Sequence, residues 1–241
     1  MTTELSEIVV SGIPVQVVRK NIKNLHLAAY PPDGRVRIAV PLHVDDEAVR
    51  LAVASRIGWI RRQQASYAEQ ARQSPREMVS GESHYVRGQR YLLNVVEASG
   101  KQSVKLSGGK LELTARKGST PKQRLDLLNR WHREQLQREI PRLIEKWEPL
   151  VGVTVKEWGI KKMRTRWGTC NADAGRIWLN LELAKKPSEC LEYIVVHEMV
   201  HLIERRHNDN FKAHMDQLMP LWRIHRDALN AAPLGNENWD Y

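Results

Sequence analysis

The chain has 241 residues, 41% of them hydrophobic and 27% charged, with a formal net charge of +10. That composition suits one large globular domain or two small ones, and it excludes collagen-like, low-complexity and broadly disordered classes. No apolar run reaches the ~18–20 residues of a membrane span.

Residues 1–10 contain Glu4 and Glu7 and no Lys or Arg, unlike the basic start of a secretory signal. Cys170 and Cys190 are the two cysteines, so two free thiols in a reducing, cytoplasmic setting are expected. The charge is uneven. Residues 101–166 hold 17 Lys and Arg against 7 Asp and Glu, and the rest of the chain balances. A basic face of this kind can attract nucleic acid or an acidic partner, or simply be a solvated helix face. No internal repeat stands out.

In chain order, residues 6–10 and 13–18 read as short strands around Gly12 and Pro14. Residues 25–30 and 35–40 read as a hairpin around Pro31-Pro32-Asp33-Gly34. Asp45-Asp46-Glu47 opens a helix over 46–72, with Val49, Val53, Ile57 and Ile60 on one stripe. Strands return at 85–86, 91–96, 104–106 and 111–114. Thr120-Pro121 then has the cap-and-proline form of a helix start. The helix over 121–150 turns Leu125, Leu128, Trp131, Leu136, Ile140 and Leu143 inward. Pro141 is expected to kink or interrupt it. Arg124, Arg130, Arg133, Arg138, Arg142 and Lys146 are expected on its outer side as a basic ridge available to nucleic acid. Residues 153–158 and 176–183 read as strands, and Pro187-Ser188 opens a helix that is apolar almost all round and so should be buried. A last helix covers about 209–230, before a polar tail. The expected fold class is α+β, with a β-rich N-terminal half containing one long helix packed on a helix–sheet–helix C-terminal half. The boundary falls near Ser119, giving regions 1–119 and 120–241.

The buried helix contains His197-Glu198-Met199-Val200-His201. Histidines at i and i+4 share one helix face, so both imidazoles can reach one metal ion. The Glu beside the first can act on a water there. A catalytic zinc takes a third protein ligand and keeps one position open. His207 lies six residues past His201, the ligand spacing of the metzincin pattern, but Glu204 stands where that pattern has Gly. The helix is therefore expected to end near Arg205-Arg206, with His207 returning from the next turn and Asn208 or Asp209 capping the following helix. Asp216 and, less favoured, His214 compete as third ligand. Glu204 is a candidate partner for an imidazole N–H. Tyr193, at i−4 from His197, either lines the cleft as an oxyanion donor or packs in the core with its hydroxyl at the rim.

The motif sits in an ordered set: Arg164-Thr165-Arg166-Trp167-Gly168-Thr169-Cys170, then Ile177-Trp178-Leu179-Asn180, Tyr193-Ile194-Val195-Val196-His197-Glu198, and His207 before Phe211. This set resembles the YgjP-like metallohydrolase family, related to the SprT-like zinc proteases, with Thr169 where that family commonly has Ser. The resemblance covers 160–215 in specific motifs and reaches loosely back to about residue 20. It implies a compact zincin fold of minimal gluzincin or metzincin type. One Zn2+ per chain would be held by His197, His201 and His207, with Glu198 as general base. Arg166, Trp167 and Asn180 become candidate substrate-facing or supporting residues.

The activity so implied is a metallopeptidase acting on peptide or unfolded protein. Two alternatives remain: a nucleoside triphosphate (UTP-type) pyrophosphatase on the same metal site, and a nucleic-acid-associated module with structural zinc. A peptide substrate needs a free strand edge beside the helix, for which residues 176–181 are the candidate. A nucleotide substrate instead needs cations near the metal, which Lys161, Lys162, Arg164 and Arg166 just upstream and Arg205 and Arg206 just downstream could supply.

Overall fold

A computed structural model describes residues 4–30, 34–69, 76–163 and 166–231. It is a mixed α+β protein, and its described residues form two compact units, one ending at 69 and the other beginning at 76. The expected boundary at Ser119 falls inside the second unit. There the strands before it and the long helix after it share one core. The polar tail beyond 231 lies outside the described residues.

In the first unit, β1 (Glu4–Val10), β2 (Ile13–Lys20), β3 (His26–Tyr30) and β4 (Arg35–Pro41) form a sheet of order β1-β2-β4-β3. Alternate residues Val15, Val17, Val36, Ile38 and Val40 are fully buried, as period-2 patterning requires of a half-covered sheet. They pack with Val49 and Val53 of α1 (Asp46–Ala54) and Ile60 of α2 (Ile57–Glu69). The single helix expected over 46–72 is therefore two. Asp45 caps the first through its side chain, which accepts from Ala48 N at 2.8 Å. The break comes at Ser55, whose hydroxyl turns back to Ala52 O at 2.9 Å, a local bond that competes with helix continuation.

The second unit opens with β5 (Ser83–Val86), β6 (Gln89–Glu97), β7 (Ser103–Ser107) and β8 (Lys110–Ala115), in the order β5-β6-β8-β7. This is the topology of the first sheet: an antiparallel hairpin, a parallel pairing and a second antiparallel pairing, followed by a capped helix. The opening hairpins even share a turn type. Ser11-Gly12 and Arg87-Gly88 all have positive φ, as a two-residue type I′ turn demands. The two sheets are a structural repeat that the sequence conceals, because turn chemistry and alternation, rather than residue identity, specify it.

The helix α3 (Pro121–Val151) has Thr120 and Gln123 in a reciprocal capping box. It runs through Pro141 without interruption, because that residue lies on the exposed side, where water can meet the freed carbonyl. Its buried stripe is Leu128, His132, Leu136, Ile140, Ile144 and Trp147. Part of the basic ridge expected outside is drawn into this packing. Arg124 bonds Ser119 Oγ, Met78 O and Glu97, Arg133 donates to Ile160 O at 2.6 Å, and Lys146 pairs with Glu192 at 2.6 Å. Four of the six, Arg130, Arg138, Arg142 and Lys146, stay exposed, the last of them in its pair with Glu192.

His132 is 1% exposed, and neither ring nitrogen has a hydrogen-bond partner among the described residues. Burial, helped by Lys185 and opposed by Glu182, pushes it down to about 3. Between that value and its ordinary 6.5 the unfolded chain binds the extra proton. Stability therefore rises with pH through this window and is lost on acidification. Between pH 6.5 and 4.5 the loss through His132 is expected to be on the order of 2–3 kcal/mol. Urea unfolding of wild type and His132→Leu at both pH values checks this, since the variant should show the shallower acid loss; equal losses would refute it.

Beyond α3 come β9 (Glu157–Lys161), β10 (Gly168–Asn171) and β11 (Arg176–Asn180), ordered β10-β11-β9. A 3-10 turn (Leu181–Lys185) leads into α4 (Ser188–Val200), followed by α5 (Asp209–Leu218) and α6 (Trp222–Ala231). The expected helix over 209–230 is split where Pro220 follows Met219. The β5–β6 turn docks on the 3-10 turn through Arg87 N to Ala184 O and Gly88 N to Lys185 O, both 3.0 Å, which steadies the entry to α4. Nine residues of α4 are buried among α3, α6 and the sheet. No helix among the described residues is long and apolar enough to cross a membrane.

Candidate metal centre

Because α4 is buried on nearly every side, its two histidines are held by packing before any ligand arrives. The helix ends sooner than expected, at Val200 rather than Arg205. Its final turn tightens into bonds such as Leu202 N to Met199 O at 3.0 Å, a common way to satisfy terminal groups. The chain then reverses, and Asn208 caps α5 by accepting from Phe211 N at 3.0 Å. That reversal returns His207 to the other two histidines.

The three imidazoles converge. His207 Nε2 lies 3.0 Å from His201 Nε2 and 3.1 Å from His197 Nε2. Among the described residues these three form a group with potential ligand atoms all within 4.8 Å of one another. Two nitrogens on one tetrahedral zinc stand on the order of 3.3 Å apart, so the donor set fits such an ion. The protons fit as well. His201 Nδ1 donates to Glu204 O at 2.9 Å, which leaves its Nε2 lone pair facing the cluster. If His197 presents its Nε2 likewise, its Nδ1–H points at the Tyr193 hydroxyl, 3.5 Å away. Burial and the neighbouring imidazoles push His197 down to about 3, and His207 is also lowered, so both are neutral, as ligands must be.

Phe211, 2% exposed, lies beneath the group with its ring centroid 4.7–4.9 Å from all three imidazoles. The sequence marks it only as the Phe after His207. Its place as the floor of the triad needs the reversal between α4 and α5.

Glu198 is 4% exposed, and burial pushes its carboxyl up to about 8 against the pull of Arg166. It lies against the backbone of Gly168, where an added Cβ would stand 2.5 Å from Glu198 Oε1. This close approach is what the glycine is for. The remaining sequence candidates divide. Tyr193 is buried, stacks on Trp222 at 6.2 Å and is pushed up to about 12 by burial, so it stays a neutral hydroxyl beside His197. Arg166 and Trp167 line the cleft. Asn180 does not line it, but its buried amide clamps the loop that carries them. Glu204 serves His201 through its carbonyl, while its carboxylate accepts from Arg206 N at 3.1 Å. Asp216 is committed to Trp222 Nε1 at 2.7 Å and to Arg223, and neither it nor His214 joins the cluster. Cys170, half-buried at the cleft, is raised to about 11 by burial and Glu198, and both cysteines are free thiols.

These groups open into a cleft of about 1030 Å³ bounded by β10, α4 and α6. The residues of β11 expected to offer a free edge are paired on both sides, with β10 and β9. The edge strand beside α4 is β10, a four-residue segment whose Gly168-Thr169-Cys170 carries too little alternation to read as a strand. The bond from Asn180 N to Trp167 O, 2.9 Å, fixes the ladder's phase. Since facing pairs alternate between bonded and unbonded, Gly168 and Cys170 direct their backbone N–H and C=O groups away from β11, to the edge.

An α+β protein with three convergent histidines beside a buried carboxylate at a cleft has the donor set of a metallohydrolase. A model of the YgjP-like family, metallopeptidase domain, matches residues 23–232, and the chain belongs to that family. The description implies a metal and peptide substrates. Among solved structures, the metallopeptidase zymogen of Pyrococcus abyssi abylysin matches with 19% identity, over 37% of this chain and 90% of that one. Its TM-score is 0.35, too slight a likeness to define a shared fold. No curated protein matches significantly.

Proposed function

We propose that the chain is a zinc-dependent peptidase, with His197, His201 and His207 as metal ligands and Glu198 as general base. The observation that carries this reading is the convergence of three Nε2 atoms next to a buried carboxylate, on a cleft bordered by a strand whose outer edge is unpaired among the described residues. The zincin-like reading of residues 120–231 rests on the same arrangement of α4 against sheet β10-β11-β9. Zinc bound there would supply Lewis-acid activation of the scissile carbonyl and of water. An extended peptide can pair with the outward groups of Gly168 and Cys170, which places its backbone alongside Glu198. The carboxylate then takes a proton from the attacking water and delivers it to the leaving amine nitrogen. Tyr193, neutral and beside His197, is positioned to orient that ligand.

Two features favour this reading over the alternatives. A closed structural zinc uses four protein ligands, whereas the described cluster offers three. Of the cleft cations that could meet a triphosphate, Arg205, Lys212 and Arg226 already pair with Asp173, Asp209 and Asp227. The test loads the full chain with zinc and offers it an unfolded protein, the same protein folded, and nucleoside triphosphates. Cleavage of the unfolded protein that stops on chelation and returns with zinc is the expected result. Release of pyrophosphate without proteolysis would overturn the peptidase reading.

A further inference from the structure

Among the described residues the cleft carries four cations, Arg166, Arg205, Lys212 and Arg226. The last three have carboxylate partners on the same or a nearby segment. No ion pair engages Arg166 among the described residues, although its guanidinium acts electrostatically on Glu198. An exposed, uncommitted cation close to the general base is poised to bind something that comes from outside.

Its position is unusually well held for a loop residue. Asn180, 4% exposed, donates through Nδ2 to Met163 O at 2.8 Å and to Arg166 O at 2.7 Å. Its Oδ1 accepts from Met163 N at 3.3 Å and Glu182 N at 3.1 Å. The next carbonyl, Trp167 O, accepts from Asn180 N. One buried amide thus spends its donors and acceptor on fixing the backbone from which the Arg166 side chain leaves. A guanidinium on an anchored backbone loses less conformational freedom on binding than one on a loose loop.

The edge strand gives the position a direction. β10 runs from Gly168 to Asn171, and a partner added antiparallel, the slightly more stable pairing, runs the other way. Its amino-terminal side passes Asn171 and its carboxyl-terminal side passes Gly168 and then Arg166. Glu198 abuts Gly168, so the bond under attack sits near that residue. At about 3.3 Å per residue, Arg166 stands roughly two residues farther along on the leaving-group side.

The geometry points to Arg166 as a specificity-determining residue that binds a carboxylate one to three residues beyond the scissile bond, an inference that rests on the peptidase reading above. The carboxylate is either an Asp or Glu side chain or the free terminal carboxylate of a chain ending there. A planar guanidinium matches a carboxylate in two parallel hydrogen bonds. The preference over the uncharged isostere is expected to be about 10–100-fold in kcat/KM, mainly through KM, the size of one charge-assisted contact partly screened by solvent.

The test is a peptide library cleaved by the zinc-loaded full chain, with products read by mass spectrometry, in wild type, Arg166→Gln and Arg166→Glu. Wild type should enrich Asp and Glu over Asn and Gln within three residues after the cut. Arg166→Gln should abolish the enrichment, and Arg166→Glu should turn it toward Lys and Arg. Free and amidated C-termini separate a terminal carboxylate from a side chain. A second measurement follows fluorescence anisotropy of labelled unstructured peptides, with Glu or Gln at those positions, binding to zinc-loaded Glu198→Gln with and without Arg166→Gln. Cleavage without acidic enrichment, or enrichment that survives Arg166→Gln, overturns the assignment and leaves the peptidase reading intact. If wild type cleaves no peptide, the peptidase reading falls and binding decides: carboxylate-dependent binding lost in Arg166→Gln supports the assignment, and equal or absent binding overturns it.

Discussion

Glu198→Gln is expected to lower peptide hydrolysis by about 10²–10⁴-fold while leaving zinc content and fold intact, the usual worth of a positioned general base. Glutamine keeps the shape of glutamate, so the contact with Gly168 survives, but its amide cannot accept the proton of the attacking water. Stability should move in an unusual direction. The carboxyl is held at about 8 by burial, so the folded, metal-free chain binds more protons than the unfolded chain between the ordinary glutamate range and that value. Stability is therefore present at low pH and lost as pH rises through the window. The glutamine variant has no such loss, and in chelator at pH 8 it should be at least as stable as wild type. Turnover, zinc content and urea unfolding decide the matter together. Undiminished turnover in a zinc-loaded variant would remove Glu198 from the mechanism.

His207→Ala is expected to weaken zinc binding by more than about 100-fold, since loss of a ligand costs more than loss of a group that merely supports one. The metal-free protein should hardly change. His207 is exposed and lies in the turn between α4 and α5, and the cap made by Asn208 and the buried Phe211 remain in place. Wild type should gain thermal stability on adding zinc, because the metal binds the folded chain, and the variant should gain little at the same concentration. Equal zinc retention in both proteins would place the third ligand elsewhere. The alternatives expected from sequence offer poor replacements, since Asp216 is held by Trp222 and Arg223 and His214 lies outside the group.

Zinc loading of the wild type and of both variants under one protocol separates the two results. The first variant is to keep metal and lose turnover; the second is to lose metal. A chain that kept metal and turnover in both would have its chemistry elsewhere in the cleft.

How far the sequence reaches depends on the range of the interactions involved. His197, Glu198 and His201 are legible because helical periodicity alone puts them together, and the surrounding apolar run says that their helix is buried. The Thr120 cap, the start of α1 at Asp45 and most strands are legible for the same reason, since each depends on neighbours a few residues away. Other features depend on distant partners. The inward stripe of α3 is set by the elements it packs against, so His132 and Trp147 are buried while Arg124 and Arg133 bond inward and leave the basic ridge that the sequence suggests. The free edge belongs to β10 rather than β11, because strand order is a property of the assembled sheet and not of either strand. By itself the sequence determined the His-Glu-x-x-His helix, the third histidine as a candidate and the α+β class, all through local spacing and patterning. Tertiary structure decided that His207 meets the other two, that Phe211 supports all three, and that Asn180 holds the Arg166 loop beside Glu198. Each of those contacts joins segments whose approach is set by the burial of a shared core, which no local pattern encodes.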